Sequence, residues 1–265
     1  MNLMWMVDKF YNKNPKLRKL IMKLLFQDKT IPITIFDTKI VINSIKENGY
    51  YRAFRLCDTS SLLRDEISVI LNIAGLLSKN DSFVDIGANI GIFSSILSRF
   101  RQITTDINIY AFEANPDTYE RLKINAEKYG FQAHNIAISD TEGEMEFIEG
   151  VVSHVFTTVE NACKYHIKDK IRNIKCLKLD EFDILGESII LKIDVEGQEL
   201  QVLKGASSFF EEQRIKAVYL DGFSDKRVID FLYSYKFSLW DGKKLVPTDG
   251  NLFSLLAIAP DKLPI

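Results

Sequence analysis

The sequence predicts an α/β protein with a mostly parallel sheet and helices on both faces. The stretch FVDIGANIGIFSSIL (83–97) has an apolar run ending in aspartate, a glycine/asparagine turn and a second apolar-periodic segment, which predicts strand, tight turn and helix. After it, strand and helix patterns alternate, which is typical of parallel strands joined by crossover helices. Asp241-Gly242 is a hairpin signal, so the sheet is expected to end in an antiparallel edge hairpin.

The first 58 residues are predicted to be an extension that precedes the main domain of residues 59–265. A basic amphipathic helix opens it, and residues 31–44 follow as two short strands around Asp37-Thr38. The helix is interpreted as packed on the domain with its basic face in solvent; the alternative is contact with an anionic membrane. Its basic residues are Lys9, Lys13, Lys16, Arg18, Lys19 and Lys23.

The main domain is expected to contain about seven strands. The predicted strands are 82–86, 107–112, 132–139, 188–194, 215–221, 237–240 and 252–259, and the predicted helices include 59–78, 116–129 and 225–235. Pro116 and Gly130 mark the first turn and the end of the second of these helices. Residues 141–187 have a less regular pattern, which fits either extra strands or loops. An insertion at this point of the chain would overhang the site, so the segment is a candidate acceptor-binding region.

Composition excludes several classes of protein. Net charge is −2, so no overall basic field indicates nucleic acid, and no apolar run reaches the ~20 residues of a membrane span. Three cysteines without a C-x-x-C pair argue against a disulfide scaffold and favour a reducing, cytoplasmic location. Peripheral contact with the inner face of a membrane is the alternative that the basic helix leaves open. The sequence carries no signal for an oligomeric state.

The turn after the first main-domain strand is Gly87-Ala88-Asn89-Ile90-Gly91, which is neither G-x-G-x-x-G nor a P-loop. Gly87 and Asn89 tolerate left-handed backbone, and Gly87 allows a ligand to approach the chain closely. Glu113 ends the next strand, 28 residues after Asp85, where a carboxylate can accept hydrogen bonds from both hydroxyls of a ribose. Asp85 could order the N–H groups of the turn or meet an ammonium. An adenosine-type ligand with a free ribose is therefore predicted, and the helix N-terminus suits a carboxylate as well as a phosphate. An adenosine that carries an amino-acid tail in place of a diphosphate is S-adenosylmethionine.

Five motifs resemble the FkbM family of S-adenosylmethionine-dependent methyltransferases, in the family's order and over about residues 60–259: VDIGANIGIFS, AFEANP, NIAISDTEGEMEF, LKIDVEGQELQVLKG and GNLFSLLAI. The resemblance implies the class I, Rossmann-like methyltransferase fold, with S-adenosylhomocysteine as product. It also implies the cofactor contacts. Asp85, Gly87, Ala88 and Asn89 would line the methionine end, Glu113 would hold the ribose, Ala137, Ile138, Ser139 and Asp140 would flank the adenine, and Asp194 would close the site.

The strand pattern ILKIDVEG is unusual because charges alternate with apolar residues, whereas a central parallel strand is normally apolar throughout. Lys192, Asp194 and Glu196 either pair in a network that braces the next helix or line a polar cavity. In the second case Asp194 or Glu196 could orient an acceptor hydroxyl or take its proton, with Lys192 neutralising the pair. His154, in the irregular region, is a candidate base or a solvated loop residue, and His134 is interpreted as structural.

Metal sites are weakly indicated, and none is predicted. Cys163, His166 and Cys176 offer three unevenly spaced zinc ligands, and Asp194, Glu196 and Asp221 could hold magnesium. Glu66, on the helix before the first main-domain strand, is expected at the edge of the site.

The predicted activity is O-methylation of a hydroxyl on a saccharide or glycosylated metabolite. A small natural product is the alternative acceptor. An NAD-dependent oxidoreductase, for which the turn is wrong, and a cofactor-binding module without turnover are the rival classes. The polar residues of the overhang favour a glycan: Ser153, His154, Thr157, Thr158, Asn161, Tyr165 and His166.

Overall fold

The computed structural model describes residues 28–55, 61–101, 106–149, 156–158, 170–250 and 253–262, together with Leu20, Lys23 and Leu24. Its strands are β1 (Thr30–Ile35), β2 (Thr38–Asn43), β3 (Ser82–Ile86), β4 (Asn108–Phe112), β5 (Gln132–His134), β6 (Ala137–Ile138), β7 (Gly143–Glu149), β8 (Phe156–Thr158), β9 (Lys170–Leu177), β10 (Ile189–Ile193), β11 (Ile215–Leu220), β12 (Ser238–Asp241) and β13 (Leu255–Ile258). Its helices are α1 (Asn48–Arg55), α2 (Ser61–Leu76), α3 (Ile92–Arg101), α4 (Pro116–Tyr129), α5 (Glu199–Lys204), α6 (Ser207–Glu211) and α7 (Arg227–Ser234). None of the described helices is both long enough and apolar enough to cross a bilayer.

The main sheet has seven strands in the order β12-β13-β11-β10-β3-β4-β5. Strands β11, β10, β3, β4 and β5 are parallel, and β13 runs antiparallel to both of its neighbours. The predicted α/β class with an antiparallel edge hairpin is confirmed, although the reversed strand lies one position inside the edge. The chain builds outward from β3 to β5 and then returns to β10 on the other side of β3. The gap between β3 and β10 is therefore a topological switch point, where open α/β sheets bind ligands.

The helices cover both faces of this sheet, as predicted, because the strand residues alternate between two apolar cores. Phe83 packs with Ile70 of α2 and Leu122 of α4, whereas Val84 packs on the opposite face with Val202 of α5. Helix α4 has the bounds that its sequence signals predict. Asn115 caps its first turn ahead of a proline, and a left-handed glycine ends it (φ 70°, ψ 43°).

The predicted strand at 132–139 is wrong as a single element. It divides into β5, which joins the main sheet, and β6, which pairs with β9 in a second sheet of order β6-β9-β7-β8. Between them, the Asn135 side chain donates to the Glu113 and Ala114 carbonyls (2.8 and 3.2 Å), which fixes the chain where it changes sheet. In the irregular region β7 and β9 pair antiparallel from Gly143↔Cys176 to Glu149↔Lys170, so that part of the overhang is a sheet.

β12 and β13 pair antiparallel as predicted, but Asp241-Gly242 is not the turn that joins them. The Leu245 N–H donates to the Asp241 carbonyl, and the Asp241 side chain accepts from the Lys243 and Lys244 N–H groups. The dipeptide therefore begins a local turn, and the connection to β13 runs from 242 to 254.

The predicted hairpin near the N-terminus is present and docked on the main domain. Its turn is Phe36-Asp37, one residue before the predicted Asp37-Thr38, because Thr38 already pairs with Ile35. Both turn residues are left-handed (φ 47° and 59°), which matches the twist of a two-residue hairpin. Asn125 of α4 accepts from the Val41 N–H (2.8 Å) and donates to the Val41 and Ile90 carbonyls (3.2 and 2.8 Å). The boundary predicted at residue 58 lies outside the described residues, as do nearly all of the basic helix and the residues 151–155 and 159–169 of the overhang.

Candidate active site

A cavity of about 840 Å³, including the solvent space at its mouth, lies at the carboxyl ends of β3, β4 and β10. Gly87 and Asn89 form one part of its wall, Glu113 the next, and Asp194 and Glu196 the opposite side. The second sheet supplies a further wall through β6 and β7.

The glycine turn brings the backbone close to β10. Gly87 has φ +73°, and a Cβ there would overlap the Asp194 carbonyl oxygen, so only glycine fits. The Gly87 and Ala88 N–H groups donate to the Phe112 carbonyl (3.0 and 2.9 Å), and the Asn89 N–H donates to Glu113 Oε2 (2.8 Å). These three donors are satisfied within the protein, so the turn contributes close approach rather than free N–H groups. Ala88 does not line the cavity.

Glu113 is held by two backbone donors at the edge of the cavity. Its Oε2 accepts from the Asn89 N–H and its Oε1 from the Asn115 N–H, both at 2.8 Å, and the residue is 8% exposed. Burial raises the pKa of its carboxyl to about 7, against the opposing effect of these hydrogen bonds and of Lys192. The sequence located this residue; its contact with a ribose stays a prediction.

The wall expected to face adenine is largely apolar. Ala137, Ile138 and Ser139 line the cavity, whereas Asp140 does not. Sequence reasoning missed Met145 and Phe147 of β7, whose signal was the alternation in GEMEFIE. It also missed Ile86, Phe112, Ala114, Ile136, Val195 and Gln198.

His134 stacks on Phe112 at 5.0 Å and does not line the cavity. Burial lowers the pKa of its imidazole. These contacts agree with a structural role. His154, the other candidate, lies outside the described residues.

Asp85 lies beneath the turn and does not line the cavity, contrary to its predicted place at the methionine end. Its side chain is 1% exposed; Oδ1 contacts Lys192 Nζ at 3.0 Å, and Oδ2 accepts from Ser94 Oγ at 2.8 Å. The reason is register, because Asp85 and Lys192 are direct neighbours in the β3–β10 pair. Lys192 is likewise absent from the cavity wall and extends its ammonium to the Gly87 carbonyl and to Asp194 Oδ2, both at 3.4 Å.

The residues of the charged strand therefore fit both interpretations in part, the paired network and the polar cavity wall. Lys192 and Asp85 form a buried pair. Burial alone disfavours the ammonium, but Asp85 and then Asp194 outweigh it and raise the pKa of Lys192. Asp194 and Glu196 line the cavity instead. The Asp194 side chain is 44% exposed. Partial burial, with the charges of Asp221 and Asp85, raises the pKa of its carboxyl to about 6, while Lys192 opposes the rise.

Glu66 lies near this strand end and accepts a hydrogen bond from the Tyr50 hydroxyl at 3.1 Å. Burial raises the pKa of its carboxyl to about 8, and the charges of Asp221 and Asp194 act in the same direction. Tyr50 was not singled out by sequence reasoning.

Among the described residues no group of three or more His, Cys, Asp or Glu side chains is arranged to hold a metal ion, including the alternative of Asp194, Glu196 and Asp221. Cys176, one of the nominal zinc ligands, is buried, and burial raises the pKa of its thiol. Cys163 and His166 lie outside the described residues.

The fold is that of the class I methyltransferases. It combines a mostly parallel sheet, one reversed strand inserted beside the edge and a cavity at the β3/β10 switch point. The chain belongs to the FkbM methyltransferase family, since the family model for the methyltransferase FkbM domain matches residues 85–239, more than half of its length. The resemblance found in the motifs is thereby confirmed, and the protein is a methyltransferase.

Individual relatives are more distant. The chain is 29% identical over 177 residues to the hexuronic acid methyltransferase AglP of Haloferax volcanii, in an alignment that covers 65% of this chain and 69% of that protein. The crystal structure of methyltransferase FkbM from Methylobacillus flagellatus aligns at a TM-score of 0.49 and 15% identity, covering 79% of this chain and 52% of that one. A methyltransferase from Clostridium acetobutylicum aligns at a TM-score of 0.42 and 7% identity, covering 81% and 98%.

Proposed function

We propose that the protein transfers a methyl group from S-adenosylmethionine to a hydroxyl of a saccharide or glycosylated metabolite. The observation that carries the cofactor assignment is Glu113. Its buried carboxyl stands at the end of β4, on the wall of the cavity, with both oxygens already oriented by backbone N–H groups. A carboxylate held in this way can accept from vicinal ribose hydroxyls and would repel a 2′-phosphate.

The other residues of the cavity fit the same cofactor. The apolar wall of Phe112, Ile138 and Phe147 suits an adenine ring, and the Gly87 backbone, which lines the cavity, can lie beside the amino-acid tail. Asp194, across the cavity from Glu113, can receive an ammonium group. Asp85 would act through its pair with Lys192 and not by touching the ligand. When bound, S-adenosylmethionine supplies an electrophilic methyl group on a sulfonium.

Asp194 and Glu196 are proposed as the groups that orient the acceptor hydroxyl and take its proton. A carboxyl with a pKa near 6 is mostly ionised at neutral pH and is more basic than an ordinary aspartate. Proton transfer to such a group contributes roughly 10²–10⁴-fold to a rate. Lys192, 3.4 Å from Asp194 Oδ2, would hold the carboxylate in position. Alignment of the acceptor with the methyl group supplies the rest.

The saccharide is supported by family membership and by the relative AglP, whose name states that it acts on a hexuronic acid. A small natural-product hydroxyl is the second candidate. The division into an extension of residues 1–58 and a methyltransferase domain of residues 59–265 is part of the proposal, in which the extension stays docked through its hairpin.

The cofactor assignment is tested by calorimetry with S-adenosylhomocysteine. Glu113→Ala should weaken binding by about 1.5–3 kcal/mol, the range for hydrogen bonds to a charged group. Glu127→Ala is the matched control, because Glu127 is exposed on α4 of the same domain. Unchanged affinity in Glu113→Ala, or tight binding of NAD by the wild type, would contradict the assignment.

The acceptor is identified by incubating the protein with S-adenosylmethionine labelled in its methyl carbon and a glycan mixture, followed by glycan hydrolysis. Label retained on a sugar fragment is the expected result. Label on nitrogen, sulfur or a protein side chain refutes the proposed reaction.

A further inference from the structure

A second set of polar side chains lies beside Asp194, on the side away from Glu113. Parallel strands end at the same edge of a sheet, and β10 lies between β3 and β11. Asp221 follows β11, and Glu113 follows β4, so these two residues stand on opposite sides of Asp194 along that edge. If the cofactor occupies the Glu113 side, the β11 side is where an acceptor can reach it.

The Tyr50–Glu66 pair belongs to this second side. The charges of Asp221, Lys192 and Asp194 all act on Glu66, and those of Glu66, Asp194 and Asp221 act on Tyr50, so the five groups share one region. The pair comes from α1 and α2, outside the residues 85–239 that the family model matches. The extension therefore contributes to the same strand ends as the catalytic domain.

Glu66 has a hydrogen-bonding capacity that the protein does not use. Its Oε1 accepts from the Tyr50 hydroxyl at 3.1 Å, whereas its Oε2 is buried and has no hydrogen-bond partner among the described residues. A buried polar atom without a partner is costly, which indicates that a ligand supplies the missing partner. A carboxyl that keeps its proton offers one donor and one acceptor there, which matches a hydroxyl group.

Asp221 is held beside the pair by its own partners. The Tyr219 hydroxyl lies 3.2 Å from Asp221 Oδ1 and 3.2 Å from the buried Ser254 Oγ. Tyr219 is in turn stacked on Phe93 with ring centroids 6.2 Å apart. The carboxylate is therefore oriented by core residues and can hold a second hydroxyl.

The balance of charge limits what can bind here. Glu66, Asp194 and Asp221 contribute three carboxyl groups, and the basic side chain acting on them is Lys192, which already pairs with Asp85 at 3.0 Å. Among the described residues, an anionic substituent would meet no other cation here and would be repelled by Asp194 and Asp221, whereas sugar hydroxyls can donate to both carboxylates.

We infer that Tyr50, Glu66 and Asp221, which do not line the cavity and lie beyond Asp194, form an acceptor-binding side of the active site, and that these residues select an uncharged polyhydroxyl unit over a carboxylated one. The inference rests on the methyl transfer proposed above. It separates this chain from AglP, which by its name acts on a hexuronic acid.

The test uses matched glycosides: the methyl β-D-glucoside and galactoside and the methyl α-D-mannoside, each against its uronic acid, with methyl-labelled S-adenosylmethionine at pH 7. We expect methylation of at least one neutral glycoside. The corresponding uronic acid should be methylated at least about tenfold more slowly, since hydrogen bonds to charged groups contribute at least that factor. A uronic acid that reacts as fast as its neutral partner, or faster, overturns the inference while leaving methyl transfer to saccharides intact. If no glycoside reacts although S-adenosylhomocysteine binds, the saccharide proposal fails and the inference fails with it.

Variants of the pair give the second readout. Glu66→Met and Tyr50→Phe should raise KM for the neutral glycoside by about tenfold, with the affinity for S-adenosylhomocysteine unchanged. Glu120→Met, an exposed site on α4, is the matched control. Folded variants with wild-type KM would show that the pair does not touch the acceptor.

Discussion

Replacement of Lys192 by methionine is expected to lower the free energy of unfolding by about 3–5 kcal/mol, the cost of breaking a buried ion pair from one side. The side chains of Lys192 and Asp85 are 4% and 1% exposed, and Nζ lies 3.0 Å from Oδ1. Methionine has a similar length and no charge. The Asp85 carboxylate would keep the 2.8 Å hydrogen bond from Ser94 and lose its counter-charge.

The reverse change should cost less. In Asp85→Asn the lysine ammonium keeps Asp194 Oδ2 and the Gly87 carbonyl, each at 3.4 Å, so a loss of about 1–3 kcal/mol is expected. The double variant Lys192→Met/Asp85→Asn no longer contains an unpaired buried carboxylate. Its loss should therefore be smaller than the sum of the single losses, by about 1–3 kcal/mol of coupling.

The measurement is chemical unfolding of the four proteins at pH 7, followed by circular dichroism. Lys123→Met, at an exposed position of α4, is the control and should stay within about 0.5 kcal/mol of the wild type. A loss below about 1 kcal/mol for Lys192→Met, together with a collapse of methyl transfer, would refute the structural role of the pair and make the ammonium a group of the reaction.

Three further outcomes follow from the same structure. The carboxyl of Glu66 has a pKa of about 8 in the fold against an ordinary value of 4.5, so the stability it contributes is complete below pH 4.5 and is lost as the pH rises through 8. Urea midpoints should therefore fall from pH 5.5 to 8.5 more steeply in the wild type than in Glu66→Gln, and equal slopes would contradict the burial of this acid. Gly87→Ala should abolish binding of S-adenosylhomocysteine, because the new Cβ overlaps the Asp194 carbonyl and the residue has a positive φ. Gly75→Ala is the control and should bind normally, because there is open space at this position of α2. Asn125→Ala should lower the free energy of unfolding by about 2–3 kcal/mol, since three hydrogen bonds between α4, β2 and the glycine turn are lost. A decrease below about 1 kcal/mol in chemical unfolding would show that the hairpin is held by its apolar side chains alone.

The elements that were predicted well are those whose structure is determined by residues within the element or directly next to it. The strand at 82–86 was predicted with its observed bounds, and α4 was predicted from Pro116 and Gly130, because an apolar run and two cap residues are sufficient there. The segment 132–139 was predicted less well. Its residues suit a strand throughout, and only the contact of Asn135 with the end of β4 divides it between two sheets. Such a contact joins residues that are distant in sequence.

The same distinction applies to the site. Glu113 and the glycine turn were found because each follows a recognisable strand. The burial of Asp85 depends on its register opposite Lys192 in a strand more than a hundred residues later, which the sequence offers only as one of two interpretations of the charged strand. No sequence pattern indicated Tyr50 as a site residue, because its contact with Glu66 depends on how α1 packs beside α2.

Asp194 at the end of β10 and Glu66 on α2, two acids with raised pKa values, should have opposite roles. A carboxylate-rich environment stabilises a cationic cofactor before the reaction as well as during it, which improves binding but does not raise kcat. Rate must come from a group that takes the acceptor proton. Glu66, with a pKa of about 8, is mostly protonated at neutral pH and can only orient the hydroxyl, whereas Asp194, with a pKa of about 6, is mostly ionised and can accept the proton. Asp194→Asn should therefore lower kcat about 10²-fold or more with little change in acceptor KM, and Glu66→Met should do the reverse. Asp183→Asn, an exposed aspartate before β10, is the control in steady-state assays. Equal effects of both variants on KM alone would place the base elsewhere.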